Sequence, residues 1–162
     1  MQIIHYIGNH AADTLAVRLG WWITRLVQRG QYKAVTHCEA ILAEHADGSV
    51  TIASASVRDG GVRTKRNVRL NPAHWLIVDV PQWDVQKSID WFAFNDGLPY
   101  DWRGAVATVL LLGHDQNGWF CNEAVGAPHI RDSHIFGPAQ FADISMSVGR
   151  DATAEFFKAR TT

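Results

Sequence analysis

Two turn signals divide residues 35–70 into three strand-length pieces, and this division constrains the fold more than any other feature of the chain. Val35 to Glu44 and Val50 to Val57 are joined by Ala46-Asp47-Gly48-Ser49, whose Asp-Gly pair suits the positive backbone dihedrals of a tight hairpin. Asp59-Gly60-Gly61 then turns the chain into Val62 to Leu70. Successive hairpins pair antiparallel. Trp75 to Val80, stopped by Pro81, adds an apolar strand that continues the meander. Gln2 to Gly8 reads as a short opening strand.

Elsewhere the apolar spacing changes to three and four. Leu15, Leu19, Trp22, Ile23 and Leu26 place a stripe on a helix from Thr14 to Gln28, with Arg18 and Arg25 on other faces and Gly30 at its end. Asp84 caps a second helix through Ile89, Phe92 and Phe94, ended by Asn95-Asp96-Gly97. Trp102 to Leu112, uncharged after Arg103, predicts a buried helix, well short of the roughly 20 residues that cross a bilayer. His114 to Gly118 forms a loop, Gly137 to Phe141 turns into a short helix, and Ala152 to Arg160 makes a terminal one. With 162 residues, 47% of them hydrophobic, the chain can bury one core. Residues 1–162 are expected to form a single α+β domain, an antiparallel sheet packed against helices.

Fifteen basic and sixteen acidic residues leave a net charge of −1, so no global field draws in nucleic acid or an anionic membrane. Arg58, Arg63, Lys65, Arg66 and Arg69 read as the solvated face of a hairpin rather than a phosphate site. A soluble chain without a leader or membrane span is expected. Two distant cysteines make no disulfide framework, and an unpaired functional thiol suits a reducing compartment such as the cytoplasm. A zinc site through His37, Cys38, His114 and Cys121 lacks the close spacing of structural zinc ligands, so neither metal nor other cofactor is expected. His129 and His134, beside Asp132, read as solvent-facing loop residues.

One constellation carries chemistry. Cys121, in Trp119-Phe120-Cys121-Asn122-Glu123, follows a loop and opens a helix, where the backbone dipole favours the thiolate and the first N–H groups could hold an oxyanion. By residue type alone it reads instead as a small, inert core residue, and its setting at a turn is what favours the reactive reading. His37 lies far upstream on a strand, and Glu39 shares its face while Cys38 points to the other. A thiol beside a histidine is a nucleophile beside its base.

The run Thr36-His37-Cys38-Glu39-Ala40-Ile41, the strand Ile52-Ala53-Ser54-Ala55 followed by Gly60-Gly61-Val62, the segment Gly97-Leu98-Pro99-Tyr100-Asp101 and the run Phe120-Cys121-Asn122-Glu123-Ala124-Val125 resemble circularly permuted papain-like enzymes. These form the YiiX-like branch of the NlpC-type cell-wall peptidase superfamily, which has relatives in the lecithin retinol acyltransferase family. The resemblance spans residues 3 to 145 and rests on the order of short motifs, with the histidine strand ahead of the cysteine. It implies a permuted papain-like fold and a bacterial or phage source. Cys121 is then the nucleophile, His37 its general base and acid, and Tyr100 a residue near the thiol that lines the pocket or donates to the oxyanion. Ser54 matches the third catalytic position, where the family usually carries a glutamate or histidine. A serine can accept from the imidazole but cannot stabilise an imidazolium as a carboxylate does. Glu39 could serve instead, or face an amine or cationic group of the substrate.

The implied activity is that of a cysteine peptidase or amidase acting on a peptide or acyl substrate in a cleft. Two alternatives remain open at this stage: a catalytically degraded binding or structural module, favoured by Ser54, and a lipid acyltransferase. The residues do not specify an oligomeric state.

Overall fold

The computed structural model describes residues 1–8, 18, 22, 25, 26, 28–110 and 118–160. Six strands form one sheet in the order β4-β3-β2-β1-β5-β6, with every neighbouring pair antiparallel. They are β1 Gln2–Tyr6, β2 His37–Glu44, β3 Val50–Ser56, β4 Gly61–Val68, β5 Trp75–Asp79 and β6 Arg150–Asp151. The helices are α1 Val85–Phe94, α2 Trp102–Leu110, α3 Cys121–Gly126, α4 Pro138–Val148 and α5 Thr153–Lys158. A 3-10 turn spans Ser133–Ile135. The expected α+β architecture of helices on an antiparallel sheet is present. No helix among the described residues is long and apolar enough to cross a membrane.

The hairpins form where the turn chemistry puts them. Gly48 takes φ +79°, which only a residue without Cβ adopts readily, and Asp47 Oδ1 accepts from the Ser49 N–H at 3.0 Å. The meander ends sooner than expected. β5 does not join β4 but crosses to pair with β1, Ile4 opposite Ile77. Hairpin turns dictate only their own neighbours, whereas the Leu70–His74 connection is long enough to carry the chain to the far side of β1. β6, two residues long, was not anticipated and pairs with the end of β5.

Alternation along the strands splits the core between the two faces of the sheet. Ile3, Cys38, Ala40, Ala53, Ala55 and Val78 lie beneath α3, α1 and α4, packed with Phe92, Ala124, Val125 and Phe141. Ile4, Ile41, Val50, Ile52 and Ile77 face the opposite way, covered by Ala152 and Phe156 at α5. The alanines beneath α3 let that helix sit close to β2 and β3.

Asp84 caps α1 by accepting from the Gln86 N–H at 2.8 Å, an interaction worth about 1 kcal/mol. Phe94, at the last turn of that helix, is 90% exposed. The helix from Trp102 is likewise not buried throughout, because Trp102 and Val106 face outward and the Arg103 guanidinium lies over the Trp102 ring. Spacing marks an apolar stripe but not what will cover it. Most of the helix expected from Thr14 to Gln28 lies outside the described residues, as do residues 111–112 and the loop residues 114–117. Arg18, Trp22, Arg25 and Leu26 are helical, and Trp22 and Leu26 are exposed.

Candidate active site

Helix α3 begins at Cys121 because the chain enters it extended and its first turn closes on itself. Phe120, the N-cap, has φ −110° and ψ 169°, and the Glu123 carboxyl accepts from the Phe120 backbone N–H. Burial, with the charge of Asp101 adding to it, pushes Glu123 up to about 7. The helix is anchored by Asn122, whose Nδ2 donates to the Phe136 carbonyl, and by Ser133 Oγ, which donates to the Glu123 carbonyl at 3.1 Å.

The Cys121 sulfur is buried and surrounded by groups that favour its anion. A hydrogen bond from the Cys38 thiol is the largest of these; burial opposes it, and the charge and hydrogen bond of His37 reinforce it. Together with the Cys38 backbone N–H they hold Cys121 well below the usual thiol range. As a neutral thiol, Cys121 donates to Asn122 Oδ1 at 3.2 Å. As a thiolate it has no proton to give, and the partners that remain useful are Cys38 and His37.

His37, the first residue of β2, joins the thiol to a carboxylate. Its Nε2 lies 3.1 Å from Glu39 Oε1, and the Cys121 thiol on the other side of the link favours the charged ring through its charge and hydrogen bonding. Burial of the ring opposes its charge, but Cys121 and then Glu39 prevail and raise His37 to about 9. Glu39 is held below its ordinary value despite burial, by the hydrogen bond and charge of His37 and by Arg63. The site therefore holds a thiolate, an imidazolium and a carboxylate in sequence.

Arg63 completes this arrangement. Its Nη2 lies 2.9 Å from Glu39 Oε1 and its Nε 2.6 Å from Asp59 Oδ2, and Lys65 Nζ lies 2.6 Å from the same Asp59 oxygen. What looked like one basic hairpin face is thus divided. Arg63 sits against the site with its side chain 13% exposed, while Arg69 pairs with Asp47 at the rim.

Ser54 is buried close by, but its hydroxyl donates to the Cys38 carbonyl at 2.7 Å and to that of Ala55 at 3.3 Å. No hydrogen bond joins it to His37 among those described, so the imidazole's partner is Glu39 rather than Ser54. Strand alternation also predicted Cys38 away from the catalytic pair, yet Cys38 shares a core cluster with Cys121 and, with His37, favours its thiolate.

Tyr100 reaches the site through the backbone. The segment before it is strung between β4 and the lead into α3: Val62 N–H donates to Leu98 O at 2.8 Å, Tyr100 N–H to Gly60 O at 3.2 Å and Trp119 N–H to Pro99 O at 3.1 Å. Burial first, and then the charge of Cys121 and Cys38, raise the Tyr100 phenol above its ordinary value. It stays protonated and able to donate. His129, by contrast, is not a solvent-facing loop residue, because it stacks on Trp83 at 4.6 Å and its Nε2 meets Ser88 Oγ at 2.9 Å.

Among the described residues no group of three or more His, Cys, Asp or Glu side chains is arranged to hold a metal ion. His114, part of the zinc set considered above, lies outside the described residues. No protein-family model matches this chain, and neither a curated protein nor a solved structure does.

The sequence reasoning missed Arg63 and the Cys38 contact. A lone arginine in a strand of alternating basic residues carries no local sign of its partner, and strand alternation argued against Cys38.

Proposed function

We propose that this chain is a cysteine-dependent hydrolase that cleaves an amide or ester bond, with a cell-wall-type peptide as its substrate class and a permuted papain-like site as its machinery. The observation that carries this reading is the hydrogen-bonded series Cys121, His37, Glu39. It supplies a nucleophile, a base beside it and a carboxylate that orients the base. The order of these residues along the chain, histidine strand before cysteine helix, supports the YiiX-like, NlpC-type branch.

In this mechanism the Cys121 thiolate attacks the substrate carbonyl carbon, and the carbonyl π electrons pass to oxygen. The Cys121 backbone N–H, which has no acceptor within its own helical turn, and the Tyr100 hydroxyl donate to that oxyanion. The intermediate collapses, the bond to the leaving group breaks, and the His37 imidazolium gives that group a proton. His37 then takes a proton from water, which attacks the thioester and regenerates the thiolate. Glu39 remains ionised throughout and keeps the ring oriented.

Alkylation and turnover together test the reading. Cys121 is expected to react with iodoacetamide at neutral pH faster than a free thiol, and Cys121→Ala to abolish hydrolysis of peptides and activated esters. Labelling no faster than a free thiol, with turnover unchanged in Cys121→Ala, would remove the hydrolase. A stable acyl thioester formed on Cys121 from a lipid donor would replace hydrolysis with acyl transfer.

A further inference from the structure

We infer that Arg63 is a positioning residue of the catalytic site, one that crosses the intervening strand over Ser54 to fix the Glu39 carboxylate and, through it, the His37 ring. Resting on the hydrolase reading, this role extends the site to a third strand. Sheet order places β3 between β4, which carries Arg63, and β2, which carries Glu39. Arg63 lies directly opposite Ser54. The register that pairs Ile41 with Ile52 and Ala40 with Ala53 brings Glu39 opposite Ser54 one step further on. The three side chains therefore form one row across a single face of the sheet.

Two strand spacings separate the backbones of Arg63 and Glu39 by roughly 9.5 Å. Their Nη2 and Oε1 atoms nonetheless meet at 2.9 Å. A guanidinium on a long stem closes that span only where the residue between is short. Ser54 meets the need, because it is fully buried and its hydroxyl is turned to the Cys38 carbonyl at 2.7 Å. Asp59 Oδ2, 2.6 Å from Arg63 Nε, steadies the other edge of the guanidinium and also holds Lys65 Nζ at 2.6 Å. Glu39 Oε2 and Arg63 Nη1 are buried with no hydrogen-bond partner among the described residues. The link therefore passes through Oε1 alone, the oxygen that His37 Nε2 meets at 3.1 Å. The other neighbours of Glu39 bring no cation: Ile4 stands opposite it on β1, Cys38 beside it on β2, and Cys121 of α3 beyond His37. Burial opposes the Glu39 charge, and His37 followed by Arg63 overcomes it.

Carbon-13 resonances of the side-chain carboxyls of the chain's four glutamates, followed against pH on the full chain, decide the matter, with Glu39→Gln assigning the Glu39 signal. In Arg63→Gln the Glu39 midpoint is expected to rise by about one pH unit, because one of its two cations is gone and the other remains. Turnover by the same variant should show kcat roughly tenfold lower with KM unchanged, because the ring is less firmly oriented. Ser54→Val keeps every charged group but fills the row, and should raise the Glu39 midpoint in the same direction. An unmoved midpoint in Arg63→Gln would overturn the inference, as would a kcat equal to that of an active parent chain or a folded Ser54→Val with the parent midpoint. If Ser54→Val does not fold, Arg63→Gln decides alone. The carboxyl titration needs no turnover, so failure of the hydrolase shows as a silent parent chain and failure of the bridge as an unmoved carboxyl.

Discussion

His37 Nε2 and Glu39 Oε1 lie 3.1 Å apart although the two residues sit on one strand, separated by a single position. The same carboxylate oxygen accepts from Arg63 Nη2 at 2.9 Å, so one oxygen ties the imidazole to a guanidinium on the neighbouring hairpin. This geometry makes Glu39, not Ser54, the carboxylate partner of His37, and Glu39 follows Cys121 among the groups that raise the ring against burial.

Glu39→Gln is therefore expected to reduce kcat by roughly ten- to a hundredfold, because an amide keeps the shape but cannot stabilise the imidazolium. The alkaline limb of the pH profile should move down from about 9, the value to which Cys121 and Glu39 raise His37 against burial. Kinetics across pH check both. Ser54→Ala should leave that limb in place, since the Ser54 hydroxyl donates to backbone carbonyls.

The pH dependence of Cys121 alkylation follows from the signs of the shifts. The Cys121 thiol is lowered, chiefly by Cys38 and then His37, so its thiolate persists as pH falls and is lost only well below the usual thiol range. His37 is raised to about 9, so the imidazolium is present below that pH and lost above it. The kcat/KM profile should be a bell with its upper limb near pH 9. His37→Ala should return the labelling profile toward that of an ordinary thiol, with a reduced rate at neutral pH.

Arg63→Met removes one of the two cations that hold the buried Glu39 carboxylate, leaving the His37 imidazolium. Glu39 and Arg63 side chains are 7% and 13% exposed, so the loss should cost roughly 2–4 kcal/mol of stability. Urea unfolding measures it. A Glu39→Gln, Arg63→Met double variant should be less destabilised than the sum of the two changes, because both single changes remove the same ion pair.

Acid should destabilise the fold through His5. This residue is fully buried, its Nε2 meets Ser145 Oγ at 2.9 Å, and burial followed by the charge of His37 lowers it to about 3. Between 6.5 and about 3 the unfolded chain binds a proton that the folded chain refuses, so stability falls as pH drops. At pH 5 the loss is roughly 2 kcal/mol. Denaturation midpoints at pH 7 and pH 5 should differ less in His5→Gln, which keeps a hydrogen-bonding group but does not titrate.

Gly61→Ala tests the support of Tyr100. A Cβ at Gly61 would collide with the Leu98 carbonyl oxygen, in the segment bridged to Gly61 at Pro99. Backbone displacement there should cost about 1–3 kcal/mol and raise KM or lower kcat by moving the Tyr100 ring. Thermal melting and kinetics read the two effects.

The chain by itself determined what depends on neighbours a few residues apart. Asp47-Gly48 and Asp59-Gly60-Gly61 set the hairpins, Asp84 caps α1, and the change from loop to helix at Phe120 and Cys121 places the thiol at a helix start. Tertiary structure decided what depends on register and on where long side chains end. It carried β5 across to β1, left Phe94 and Trp102 exposed, turned the Ser54 hydroxyl to a carbonyl, and brought Arg63 and Glu39 together from different hairpins. It also gathered Cys38 and Cys121, on a strand and a helix far apart in the chain, into one core cluster. Turns and caps are legible because their hydrogen bonds close within a few residues, whereas a buried charge or thiol takes its partner from whichever element packs against it.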